Sequence, residues 1–208
     1  FSESADIAQK FREQDLLPDY PNNIDNYFKV DHVLTVDVSL DNHDEWEQKV
    51  GRVLAEFGPD LEMNAIFVVV DSDFGPQYAD ALRYHWRGFQ KNDTVAVVGS
   101  DSAGNVEWAK VMSWSRDPSY NTELANRLER EDTVNADAFV GHLQAQALAN
   151  YERRPMKEFE HLKDQMPTPT WVWILSIVLG LLVPGGLLWL FHNVDFDPFG
   201  MVFNYGKD

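Results

Sequence analysis

Ala65-Ile66-Phe67-Val68-Val69-Val70 is an unbroken apolar run bounded by polar residues, and Thr94-Val95-Ala96-Val97-Val98 repeats the pattern. A strand with one wet face alternates apolar and polar side chains, whereas a strand covered on both faces does not. Both runs therefore read as central strands of a sheet with helices on its two sides. Upstream, His32 to Leu40 is rich in β-branched residues and reads as a further strand. Between the first two strands, Trp46, Val50, Val53, Leu54 and Phe57 recur at helical spacing; Asp41 or Asn42 can cap that helix and Gly58-Pro59 is expected to stop it. Gly75-Pro76 opens the next helix, whose stripe is Tyr78, Leu82, Trp86 and Phe89.

Downstream, the turn Ser100 to Asn105 leads into a strand over Val106 to Trp114, close enough in sequence to form a hairpin with its predecessor. Asn121 or Thr122 begins a short helix through Glu131. Asn135 caps a longer one with Phe139, Val140, Leu143 and Leu148 inside, and Pro155 bends or ends it. Ahead of the first strand lies a short helix and a linker broken by Pro18 and Pro21. The order β-α-β-α-β-β-α-α predicts an α/β fold: a mixed sheet of about four strands covered by helices, the first three strands parallel because their crossovers are long.

The segment from Trp171 to Phe191 carries no charge. At about 1.5 Å per residue it spans roughly 31 Å, the thickness of a bilayer's hydrocarbon core. Trp171 and Trp173 at one end and Trp189 at the other form the aromatic belt of the two interfaces. Ser176 and Gly180 make a small-xxx-small face, and Pro184-Gly185-Gly186 is expected to interrupt or kink the helix, which points to contact with another helix or to a bent end. The chain thus divides into an N-terminal helix and linker (1–28), a soluble α/β domain (29–166), a transmembrane helix (167–192) and a short tail (193–208). The apolar residues Phe196, Phe199, Met201, Val202, Phe203 and Tyr205 of that tail need a surface to rest on. Arg153, Arg154, Lys157 and Lys163 precede the span against Lys207 after it, a bias that by itself sets the soluble domain on the cytoplasmic side.

Charge narrows the partners. Against 17 Lys and Arg stand 34 Asp and Glu, a formal net charge of −17. Nucleic acid needs a basic face, and an anionic leaflet repels such a domain. A cationic partner or a divalent metal is compatible, although net charge mainly secures solubility. The absence of cysteine excludes disulfides, thiolate zinc sites and a thiol nucleophile.

Between Val33 and Trp114, the opening strand is followed by the helix around Trp46 to Phe57 and by Ala65-Ile-Phe-Val-Val-Val-Asp71. Then come Tyr78-Ala-Asp-Ala-Leu82 running into Trp86-Arg-Gly88, and Asn92-Asp93 entering the strand Thr94 to Val98. This succession resembles the TPM-domain family, extracytoplasmic or lumenal domains tied to membranes. The family's glycine-rich segment after the third strand is reduced here to Gly99 and Gly104. The resemblance implies an extracytoplasmic domain, followed in many members by a transmembrane helix. It also implies one of two roles: an accessory factor for a membrane complex, as in photosystem maintenance and receptor modulation, or an acid-phosphatase-like activity.

Chemistry is sparse. Asp71 and Asp73 follow one buried strand and Asp101 the next; if those strands are neighbours, three carboxylates meet at the carboxyl edge of the sheet, where open α/β folds bind ligands. Oxygen-only ligands suit Mg²⁺ or Ca²⁺, while acidic residues also simply cap turns. The six histidines show no metal-ligand spacing, although His85, beside Trp86, could face the sheet edge. No Gly-x-Ser-x-Gly elbow is present, and Ser72 and Ser100 have no base placed near them by spacing. Trp108, Met112 and Trp114 share one side of their strand, as core or, on an open sheet face, as a binding patch. The expectation is a single-pass accessory or assembly subunit docked on an integral membrane protein complex, with no catalytic residue and no cofactor. The alternative is a metal-dependent membrane-bound phosphatase using Asp71, Asp73 and Asp101.

Overall fold

The computed structural model describes residues 2–21, 31–155, 157–158 and 170–193. They fall into two compact units, Phe1–Pro155 and Met156–Asp208. The first is built from α1 (Ser2–Glu13), β1 (Val33–Val36), α2 (His43–Leu61), β2 (Asn64–Asp71), α3 (Gln77–His85), β3 (Asp93–Ser100), β4 (Val106–Ser113), α4 (Ser119–Glu129) and α5 (Ala136–Asn150). The second contains α6 (Thr170–Asn193). The linker 22–30, Phe159, Leu162, Lys163 and the apolar tail residues Phe196 to Tyr205 lie outside the described residues.

The four strands form one sheet in the order β1-β2-β3-β4. β1, β2 and β3 are parallel and β4 returns antiparallel as a hairpin partner of β3. The chain is thus α/β with a mixed sheet, as its apolar runs require. β3 is buried along its whole length and β2 at every position but its ends. On one face Phe67, Ala96, Val98 and Val111 pack against Trp46, Val50 and Leu54 of α2, Leu124 and Leu128 of α4, and Phe139 and Leu143 of α5. On the other face Ile66, Val68, Val70, Val95 and Val97 meet Tyr78, Ala81 and Leu82 of α3 and Ala8 of α1. Removing these side chains from water, at roughly 25 cal/mol per Å² of apolar surface, holds both layers to the sheet.

Several boundaries differ from the sequence reading. β1 stops at Val36, four residues before Leu40, because Asp37 turns to a left-handed conformation (φ 57°) that no strand continues. Gly58-Pro59 does not stop α2: the helix runs to Leu61 and closes on Glu62, left-handed at φ 48°, with the Met63 N–H bonding the Gly58 carbonyl. A proline removes one hydrogen bond, and near a helix end, where carbonyls already lack partners, that loss is small. Leu148 points outward, 62% exposed, rather than inward. α1, read as lying ahead of the domain, belongs to its compact unit: the Tyr78 hydroxyl donates to the Leu16 carbonyl and the Trp86 indole to that of Pro18.

α6 is a continuous 24-residue helix. Its segment Thr170–Trp189 has a mean hydropathy of 2.2, with none of it buried, so it is one helix long and apolar enough to cross a membrane. The helix continues through Pro184-Gly185-Gly186, where the sequence suggested an interruption. Pro184 has no N–H to give, so the Gly180 carbonyl one turn earlier loses its intrahelical donor while the φ/ψ path stays helical.

Candidate functional site

Three places carry the residues singled out by sequence: the carboxyl edge of the sheet, the outer face of β4, and α6. At the sheet edge the register sets Asp71 opposite Ser100, so Asp71 and Asp101 end neighbouring parallel strands as anticipated. What each carboxylate does there is local. Asp71 Oδ1 accepts the Asp73 N–H at 2.8 Å and caps a single turn of 3₁₀ helix over Ser72–Phe74. Asp101 accepts the N–H groups of Ala103 and Asn105 through Oδ1 and the Asn105 side-chain amide through Oδ2 at 2.7 Å. The Asn105 amides hold the Asp101 carboxyl below its ordinary value. Asp73 lies exposed within the turn.

Among the described residues no group of three His, Asp or Glu side chains is placed to hold a metal ion. Both oxygens of Asp101 are committed to closing the β3–β4 turn, so the donor set Asp71, Asp73 and Asp101 does not fit Mg²⁺ or Ca²⁺ as arranged. The Ser100 hydroxyl is buried and donates to the Asp101 carbonyl, not to a base. His85 stands in the last turn of α3, 3.4 Å from Arg12 Nη2.

Trp108 takes the space at this edge. Its indole lies across Gly99, its partner on β3, so closely that a Cβ on Gly99 would collide with Nε1. The same N–H donates to the Ser72 carbonyl at 3.0 Å, tying the turn after β2 to β4. Gly99, the remnant of the glycine-rich segment, is therefore a seat for an aromatic ring. Trp108 and Met112 are core residues under α3, so β4 has no open aromatic patch. Trp114 lies just past the strand, its indole donating to the Gly88 carbonyl at 3.1 Å.

At the opposite edge of the sheet sits a buried acid that sequence reading passed over. Asp93 opens β3 with its side chain enclosed, accepting from the Tyr20 hydroxyl at 2.6 Å, the Gln90 N–H at 2.9 Å and the Asn64 amide at 3.2 Å. Burial pushes its carboxyl up, against these hydrogen bonds. The bond from Tyr20 ties the N-terminal segment to the sheet, and desolvation and the acid raise that phenol far above its ordinary range. Asn92-Asp93 gave the signal, but only the packing of residues 16–20 over α3 shows that the acid is enclosed.

On α6, Gly180, Gly185 and Gly186 face open space. The Ser176 hydroxyl donates back to the Val172 carbonyl at 2.8 Å, so this polar group is satisfied within the helix. Ser176, Gly180 and Pro184 succeed one another at intervals of one turn, along one side of the helix.

No protein-family model matches the chain, and no curated protein matches it either.

Proposed function

We propose that this chain is an accessory or assembly subunit, held in the membrane by α6, whose α/β domain docks on the soluble face of a larger integral membrane complex. The observation that carries this reading is α6 itself. It is apolar around its whole circumference, yet one side carries Ser176, Gly180 and Pro184 in successive turns. Small residues let a second backbone approach closely, and in lipid that packing replaces the hydrophobic drive available in water. The Gly180 carbonyl, deprived of its donor by Pro184 and unshielded by a Cβ, is the atom a neighbouring helix would satisfy. A lone tether needs neither feature.

Blue-native electrophoresis from mild detergent tests this. The full chain is expected to migrate with a larger assembly, and Ser176→Leu with Gly180→Leu is expected to shift it to a smaller species. Migration of the unmodified chain only as a free monomer would end the reading. The resemblance to TPM domains supports an extracytoplasmic α/β domain, against the Lys and Arg bias ahead of the span. Protease added to sealed vesicles whose cytoplasmic face points outward should then leave the domain intact until the membrane is opened.

The phosphatase alternative keeps one observation in its favour, the shared sheet edge of Asp71 and Asp101. With those carboxylates engaged in turns, the expected outcome is no metal-dependent hydrolysis of a generic phosphoester by the full chain. Hydrolysis that Asp71→Ala with Asp73→Ala abolishes would restore it.

A further inference from the structure

An open groove of about 900 Å³ runs between the end of α1 and the end of α3, and Arg12, Arg83 and Arg87 all line it. In a chain with 34 acidic and 17 basic side chains, carboxylates are in excess, and several cations pair with one. Lys49 has two, Glu45 and Asp137; Arg116 has Glu152 and Arg153 has Glu62. Among the described residues the three groove arginines have none. The one acid in the lining, Asp80, is taken by Lys110 at 2.7 Å.

The Arg83 side chain and the Arg87 backbone are held in place. The Arg83 guanidinium lies over the rings of Phe89 and Trp114, 5.9 and 5.7 Å from their centroids. Stacking leaves the in-plane N–H fork free to donate. Arg87 occupies the residue after the C-cap of α3, where the Gly88 N–H bonds the Arg83 carbonyl and the Arg87 N–H that of Tyr84. That position calls for a left-handed residue, ordinarily glycine, and Arg87 adopts it at φ 54°. Arg12 arrives from α1 and donates to His85 Nδ1, which brings a third guanidinium into the lining of the same groove. Favourable interaction with the α3 dipole accounts for a cation in its last turn. It does not account for Arg12, which belongs to another helix, or for a strained arginine where glycine fits better.

We propose that this groove binds the phosphate group of a small phosphorylated molecule, an activity beyond the assembly role. Three guanidinium forks exceed what one carboxylate can balance, whereas a phosphate offers two charges and oxygens in several directions. The volume suits a small molecule, and Tyr84, 47% exposed, supplies a ring wall for the remainder of the ligand. An acidic peptide fits less well. Beyond a Debye length of about 8 Å the ligand no longer sees the groove alone, and a peptide would extend over the rest of an acidic surface.

The test titrates the full chain, in nanodiscs of phosphatidylcholine, with pyrophosphate by calorimetry. Arg87→Gly and Arg12→Gln are compared with Arg52→Gln, an exposed arginine of α2 outside the groove. Saturable binding is expected, weakened at least about tenfold by either groove variant and little changed by Arg52→Gln, each good charge-assisted contact being worth about that factor. Arg87→Gly removes a guanidinium while relieving the left-handed strain, so its melting temperature should rise as its affinity falls; misfolding cannot mimic that pair of results. Absence of pyrophosphate binding, or equal loss in Arg52→Gln, overturns the proposal, as does tighter arginine-dependent binding of an oligoglutamate peptide. Repeating the titration in nanodiscs containing phosphatidic acid separates two supporting outcomes: competition identifies a lipid headgroup as the source of the phosphate, and unchanged affinity a soluble molecule.

Discussion

At the scale of single residues, Trp108 packs directly against Gly99. A methyl group at position 99 would overlap the indole, so Gly99→Ala must expel Trp108 from beneath α3 and break its bond to the Ser72 carbonyl. Overpacking of a dense core costs about 1–3 kcal/mol, and the upper part of that range is expected here, read from urea midpoints. Trp108→Leu in the same chain should recover part of the loss; equal additive losses would show that the two sites are independent. Asp93 makes a pH-dependent prediction. Its carboxyl is raised by burial, so the folded state holds this proton more tightly than the unfolded chain, where the value is about 3.9. Ionisation of Asp93 therefore opposes folding above the folded value, and that opposition fades as pH falls toward about 4. The stability difference between the unmodified chain and Asp93→Asn should move in favour of the former on acidification from neutral pH. A difference that stays flat would contradict it. Asp101 runs the other way: its lowered carboxyl supports the β3–β4 turn above about pH 4, the unfolded value, and that support is lost as pH drops through the folded value.

At the scale of elements, helix ends held the surprises. Gly58-Pro59 and Pro184-Gly185-Gly186 read as breaks, yet α2 and α6 pass through both. In α2 the stop is instead Glu62 in a left-handed conformation, and in α3 it is Arg87. Neither residue announces itself in sequence, because glycine is the residue that usually marks such a turn. Arg87→Gly should stabilise the chain by about 1 kcal/mol, the usual cost of a side chain in this region, measured as a higher thermal midpoint; a lower midpoint would show that the Arg87 side chain contributes more through contacts than it loses in strain. α5 began where its capping residue placed it, with Asn135 accepting the Ala138 N–H, whereas α4 starts at Ser119, ahead of Asn121 and Thr122. Leu148 went astray because a stripe of apolar residues fixes a helix face only if every member lies on it.

For the whole molecule, partition into a membrane is the prediction on which most depends. Alkaline carbonate washing should leave the full chain in the pellet, and a chain ending before residue 167 should move to the supernatant; the full chain in the supernatant would remove α6 as an anchor. The sequence alone determined the α/β class, the two central strands and a helix long and apolar enough to cross a membrane. Each of these rests on the cost of wetting apolar side chains, which depends on composition and local spacing. Only tertiary structure decided the sites. That Asp71 and Asp101 share an edge yet serve separate turns depends on which backbone amides lie within reach. That Arg12 lines the same groove as Arg83 and Arg87 depends on how α1 packs against α3, although Arg12 and its neighbour His85 lie 73 positions apart in sequence. Hydrogen bonds and ion pairs act over a few ångströms in space, and separation along a chain carries little information about that distance.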